Sequence, residues 1–212
     1  MHALVLCHGT PPSQQLLDSC LQEADYFVAA DGGALTARTY DRQPDVVIGD
    51  LDSFGPGDDE PFPVIFDGDQ ETNDLQKALA HALGEGARQG TVLGATGRRL
   101  DQTLKNLSVL KRFDGRFERL RLRDNHGDTF LLARHATLRV PEETLISLFP
   151  LSGRVTGVTT EGLAWSLDDE TLENGVRDGS SNRAVAEKVV IRHESGDLLA
   201  FVAGDYLYQP AS

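Results

Sequence analysis

The feature that most constrains this chain is a regular exchange between two hydrophobic periodicities over its first 123 residues. Short runs of apolar and β-branched residues, at Ala3–Cys7, Tyr26–Ala30, Val46–Ile48, Val64–Phe66, Thr91–Leu93 and Phe117–Arg123, read as strands. Between them lie segments whose apolar residues recur at helical spacing. Leu16, Leu17 and Leu21 stripe Gln14–Glu23, a short helix runs from about Ala34 to Asp41, and Leu75, Ala78, Leu79, Ala82 and Leu83 follow Asp74. A last stripe, Leu100, Leu104, Leu107 and Leu110, precedes the sixth strand. Strands that alternate with helices build a mostly parallel sheet through right-handed crossovers, so residues 1–123 are expected to form a doubly wound α/β domain. Beyond Asp124 the pattern changes to short alternating runs, Thr129–Leu132, Ala136–Val140, Leu145–Phe149, Arg154–Thr160, Val185–His193 and Leu198–Val202. With no long helix among them, residues 124–212 are expected to form a small antiparallel β-sandwich domain.

Charge and cysteine usage narrow the partners. Thirty-three acidic against 20 basic residues give a formal charge of −13, which repels nucleic acid and anionic membrane. A phosphate substrate would therefore arrive with its metal. Cys7 and Cys20 have no metal-ligand spacing and read as free thiols, in keeping with a reducing cytoplasm. No apolar run approaches the roughly 18 residues of a membrane span, and Met1-His2-Ala3 leads into a strand pattern without an export signal.

The residues that follow the strands carry the chemistry. Val46 to Ile48 reads as a buried strand, and Gly49 turns the backbone so that Asp50 and Asp52 stand at its C-terminal edge, where open α/β sheets bind ligands. Two aspartates one residue apart resist burial without neutralisation, and a hard cation such as Mg2+, which bridges to phosphates, suits them. An isolated Asp-x-Asp is more often an acidic turn whose side chains cap backbone N–H groups. Asp74, in the first turn of a helix, is explained as a cap, yet capping leaves Gln70 and the other acids of Asp69–Asp74 unexplained. The functional alternative makes Asp74 a third carboxylate for the cation of Asp50 and Asp52, with Gln70 on nucleotide or metal-bound water. Asp31-Gly32-Gly33 ends another strand, where glycines permit close approach and an aspartate accepts from hydroxyls. Gly94 to Gln102 ends a fourth, presenting N–H groups to a phosphate at a helix N-terminus with Arg99 to pair its oxygens. It lacks the Gly-Lys-Ser/Thr ending of a Walker A loop, and Arg98, Arg99 and Asp101 taken singly also fit a solvated basic pair and a cap. In the second half the single tryptophan, Trp165, lies near a polar Ser180-Ser181-Asn182 turn and reads either as packing or as a platform for a flat or cationic ligand.

Taken in order, Ala30-Asp31-Gly32-Gly33-Ala34, Gly49-Asp50-Leu51-Asp52-Ser53, Asp69-Gln70 to Asp74, Arg99-Leu100-Asp101-Gln102, Ser147-Leu148-Phe149-Pro150, Thr160 to Trp165 and Ser181-Asn182 resemble the thiamine pyrophosphokinase family over residues 25 to 202. The resemblance implies an N-terminal domain for ATP and Mg2+, a C-terminal domain that helps bind thiamine, a homodimer, and transfer of pyrophosphate from ATP to the thiamine hydroxyl with release of AMP. It assigns Asp50, Asp52 and Asp74 to the metal; these three with Gln70 and Asp101 to catalysis; Asp31, Gly32, Gly33, Asp50, Arg99 and Gln102 to the nucleotide; and Trp165, Ser181 and Asn182 to thiamine. Two departures stand out: Asn73 replaces the family's usual Thr before the aspartate matched by Asp74, and Leu35 replaces the usual Asn after Asp-Gly-Gly-Ala. Two rivals remain at this level. Val47 to Ser53 also resembles the first motif of aspartyl-phosphate phosphatases, with Asp50 as nucleophile, although that motif normally follows a first strand. A binding protein for thiamine or nucleotide without turnover is the non-enzymatic alternative.

Overall fold

A computed structural model describes residues 1–57 and 59–210. The chain divides into two compact units, one ending at Asn125 and the other beginning at His126.

The first unit holds six parallel strands, β1 (His2–Leu6), β2 (Tyr26–Ala30), β3 (Val46–Gly49), β4 (Val64–Phe66), β5 (Gln89–Leu93) and β6 (Arg119–Arg123), in the order β6-β5-β1-β2-β3-β4. Leu4 pairs with Phe27 on one side and Thr91 on the other, and Ala3 to Leu6 are wholly buried, which is why β1 reads as an unbroken apolar run. The crossovers are helices α1 (Gln14–Glu23), α2 (Gly33–Thr39), α3 (Asp74–Gly84) and α4 (Leu100–Arg112). Ser13 caps α1, its Oγ accepting from the N–H of Leu16 at 3.2 Å, and Leu17 and Cys20 bury the helix against Leu4, Leu6 and Phe27. Chain order reverses between β1 and β5, so the C-terminal ends of these two strands bound the crevice where a doubly wound sheet takes ligands.

Helix α4 departs from the expected stripe. Leu100 and Leu104 are 71% and 58% exposed, while Asn106, Val109 and Leu110 face inward. The buried row is set by Val109, Leu110 and the fully covered Phe113, and it brings a polar side chain, Asn106, to the inner face.

The second unit is built of antiparallel strands: β7 (Gly127–Leu131), β8 (His135–Arg139), β9 (Leu145–Pro150), β10 (Val155–Glu161), β11 (Glu170–Leu172), β12 (Gly179–Arg183), β13 (Lys188–Arg192), β14 (Leu198–Ala203) and β15 (Leu207–Pro210). They pair as β12-β9-β14-β7 and β11-β10-β13-β8-β15, and the inward residues of both sets form one core that includes Leu138, Ile146, Leu148, Leu172, Ile191 and Ala200. Strands β11, β12 and β15 escape the alternation rule because they are short or polar. The expected Gly179–Asn182 turn is strand β12: Gly179 pairs with Leu148 and Asn182 with Ile146, with an irregular register between them and Ser181 at φ 58°. The expected strand Val185–His193 shortens to Lys188–Arg192, leaving Val185 half exposed with its N–H on the Gly162 carbonyl.

Candidate active site

The segments that follow β1, β2, β3 and β5, together with the start of α3, surround a cavity of about 500 Å³. Asp31 organises one side. It follows β2 with φ 42°, is 3% exposed, and its carboxylate accepts from the N–H groups of Ser53 at 3.2 Å and Phe54 at 3.1 Å. Through these two backbone donors it pins the loop that carries Asp50 and Asp52. Gly49 makes the crossing possible, since a Cβ there would lie 2.8 Å from the Cβ of Asp31 and 2.9 Å from Oδ1 of Asp74. Leu51 then adopts φ 60°, and the N–H of Asp52 donates to Oδ1 of Asp50 at 3.3 Å.

One oxygen from each of Asp31, Asp50 and Asp74 lies within 4.8 Å of the other two. Asp52 lines the cavity beside this trio, its Oδ1 accepting from the Ser53 hydroxyl at 2.9 Å. Asn73 caps α3 and sets Asp74 in its first turn. Burial, followed by the charges of Asp31 and Asp50, pushes the Asp74 carboxyl above its ordinary range. Lys77 opposes that rise, with its buried Nζ 3.8 Å from Oδ1 of Asp74 and donating to the Asp67 carbonyl at 2.6 Å. Cys7 borders the cavity, but burial, with Asp74 adding to it, pushes its thiol up to about 12, so it is inert as a nucleophile.

The loop after β5 supplies the opposite wall through Gly94, Ala95, Gly97, Arg98, Arg99 and Gln102. It is tied to the loop after β1: the N–H of Gly9 donates to the Gly94 carbonyl at 2.7 Å and that of Thr10 to the Thr96 carbonyl at 2.8 Å. Of the residues read from sequence, the cavity thus gathers Asp31, Gly32, Asp50, Asp52, Asp74, Arg99 and Gln102. Gln70, Asp101 and Gly33 are not among its described lining residues. Gln70 is exposed, with its amide on the Gly68 carbonyl. Asp101 is paired with Arg99, whose guanidinium holds its carboxyl below the usual range. Gly33 serves packing, since a Cβ there would strike the Leu6 carbonyl at 1.9 Å. Sequence reasoning passed over His8 and Asn106. His8 Nδ1 lies 2.6 Å from the Gly32 carbonyl, so that nitrogen carries the proton, and Nε2 has no hydrogen bond among the described residues. Its signal was its position directly after a strand, one residue before a glycine.

In the second unit Trp165 is 61% exposed, which removes it from the core. Asn182, 5% exposed, holds the turn beneath it: its Oδ1 accepts from the Trp165 N–H at 3.1 Å and its Nδ2 donates to the Trp165 carbonyl at 2.7 Å. The Arg183 guanidinium lies 5.8 Å from the Trp165 ring centroid, and the Ser181 N–H donates to Ser147 Oγ at 3.0 Å.

Comparison with known proteins agrees with this construction. The family profile described as thiamin pyrophosphokinase, catalytic domain, matches residues 17–122, and the one described as thiamin pyrophosphokinase, vitamin B1 binding domain, matches residues 135–198. Thiamine pyrophosphokinase 1 of Oryza sativa subsp. japonica is 30% identical over 200 residues, spanning 79% of this chain and 75% of the relative. Among solved structures, thiamin pyrophosphokinase from Candida albicans superposes with a TM-score of 0.82 at 20% identity, over 96% of this chain and 90% of that one. Thiamine pyrophosphokinase from Bacillus subtilis gives 0.79 at 19% identity, over 97% and 100%. These two show the shared fold, and the matched profiles and the rice relative carry the assignment: the chain belongs to the thiamine pyrophosphokinase family.

Proposed function

We propose that this chain transfers the pyrophosphoryl group of ATP to the hydroxyl of thiamine, releasing AMP and thiamine diphosphate. The observation that carries the reading is the carboxylate trio at the ligand edge of the sheet, within one cavity with the arginine-bearing glycine loop. Hard oxygen donors that crowd one another, with Asp74 pushed up by burial and then by its acidic neighbours, fit a divalent cation such as Mg2+ held by Asp50 and Asp74, with Asp31 or Asp52 completing the set. When bound, that cation neutralises the polyphosphate and polarises the phosphorus under attack.

The chain's own residues supply positioning and charge. Asp31 fixes the Asp50–Asp52 loop, backbone N–H groups of Gly94 to Gly97 face the anionic oxygens, and Arg98 and Arg99 pair with them. Leaving-group charge develops on the oxygen of AMP, where those donors stabilise it more in the transition state than in the ground state. Trp165, exposed and backed by Asn182, offers a face for a pyrimidine or thiazolium ring. Gln70 and Asp101 keep their assignment to the catalytic centre as part of this proposal. The functional unit is proposed to be a cytoplasmic homodimer, supported by the exposed Leu100 and Leu104 and by two free, buried cysteines. No helix among the described residues is long and apolar enough to cross a membrane.

The phosphatase reading loses ground, because Asp50 follows the third strand and shares its carboxylate site with Asp31 and Asp74. Thiamine-dependent AMP release from Mg-ATP tests the proposal. Wild-type protein is expected to turn over and Asp50→Asn to fall by two or more orders of magnitude; phosphate release without thiamine, or full activity of the variant, would contradict it.

A further inference from the structure

We infer that Asn73 and Asn106 form a hydrogen-bonded relay that sets the gap between the Asp74 carboxylate and the glycine loop after β5, and that both act as positioning residues. The inference rests on the proposed nucleotide site. Asn73 is the N-cap of α3, and its Oδ1 accepts from the Gln76 N–H at 3.1 Å. A backbone N–H only donates, so the Asn73 oxygen is fixed there and its Nδ2 points onward, donating to Oδ1 of Asn106 at 2.8 Å. Asn106 in turn donates from Nδ2 to the Ala95 carbonyl at 2.7 Å, and a carbonyl only accepts. The polarity of the relay is therefore set at both ends by backbone groups, and neither amide can flip without breaking two bonds.

What the relay joins is specific. One end is the residue immediately before Asp74, and the other lies in the loop whose Gly94 and Thr96 carbonyls also anchor the loop after β1. Asn106 is 8% exposed on the inner face of α4, and both asparagines border the cavity. A buried amide is costly to leave unpaired, so the relay holds two walls of the site at a fixed separation. Displacement of a positioning group by about 1 Å lowers turnover by up to roughly a hundredfold.

Asn73→Ser isolates the relay, because serine caps a helix as well as asparagine while lacking the amide. Measured on the full-length protein, kcat is expected to fall tenfold or more with the melting temperature within a few degrees of wild type. Calorimetric affinity for Mg2+ with a non-hydrolysable ATP analogue is expected to weaken severalfold. Asn106→Leu breaks the same chain from the other end, so the double variant is expected to lose no more than about twice the worse single variant. Wild-type kcat and nucleotide affinity in Asn73→Ser, or losses that multiply in the double variant, would overturn the relay. If Asn106→Leu fails to fold, Asn73→Ser decides alone. If wild-type protein makes no AMP, the functional proposal fails, and the calorimetric arm still decides whether the relay shapes the site.

Discussion

Asp74 meets three demands at once: it starts a helix, sits half-buried beside two other acids, and has Lys77 as the nearest cation. Its folded-state pKa lies above the ordinary 3.8, so without a divalent cation its charge opposes folding at all pH values above that range. Asp74→Asn is therefore expected to raise the metal-free melting temperature by a few degrees at pH 7, an advantage that fades as pH falls towards about 3.8. The same variant is expected to lose the extra stabilisation that Mg-ATP gives the wild type, and thermal scans with and without Mg-ATP check both. Trp165 makes the opposite case, since most of its ring faces solvent. Trp165→Ala should cost less than about 1 kcal/mol of stability, while a lost cation–π or stacking contact of about 0.5 to 2 kcal/mol raises the thiamine KM roughly two- to thirtyfold. Its fluorescence, quenched saturably by thiamine, reports the contact directly, and an unchanged thiamine KM would remove the platform role. Sequence alone named Asp50, Asp52 and Asp74, because acids after a buried strand are visible as a pattern. It did not show that Asp31 supplies an oxygen to the trio in place of Asp52, since that depends on the fold bringing the ends of β2, β3 and α3 together.

Element by element, legibility followed burial. Strands β1, β2 and β3 could be read because both faces are covered, which leaves a continuous apolar run between turn residues. Helix α4 was legible as a helix but its inward face was not, because four leucines at helical spacing outweighed Asn106, whereas packing chose the face that carries the polar relay and left Leu100 and Leu104 exposed. Strand β12, Gly-Ser-Ser-Asn-Arg, has no apolar alternation to read and owes its state to pairing with β9. At the end of β13, His193 is 6% exposed and neither ring nitrogen has a partner among the described residues. Burial, with Arg134 adding to it and Asp197 opposing, lowers its pKa below 6.5. The unfolded chain then takes up the proton first, so stability is complete above about pH 6.5 and declines as pH falls from there to the folded-state value. His193→Phe is expected to flatten that decline, and urea melts between pH 5 and 8 measure it.

For the whole molecule, a sharply acidic chain is suited to a polyanion only if the metal carries it in, and the same field favours a cationic acceptor. The two-unit organisation follows from the change in periodicity near residue 124, whereas the choice of ATP and thiamine depends on the site and on family membership. The most direct test of the central claim follows the phosphorus atoms of ATP through one turnover. With ATP labelled separately at the β and γ positions, Mg2+ and thiamine, both labels are expected to appear together in thiamine diphosphate with one equivalent of unlabelled AMP. Production of ADP, or recovery of the γ label as inorganic phosphate while thiamine stays unmodified, would contradict pyrophosphoryl transfer.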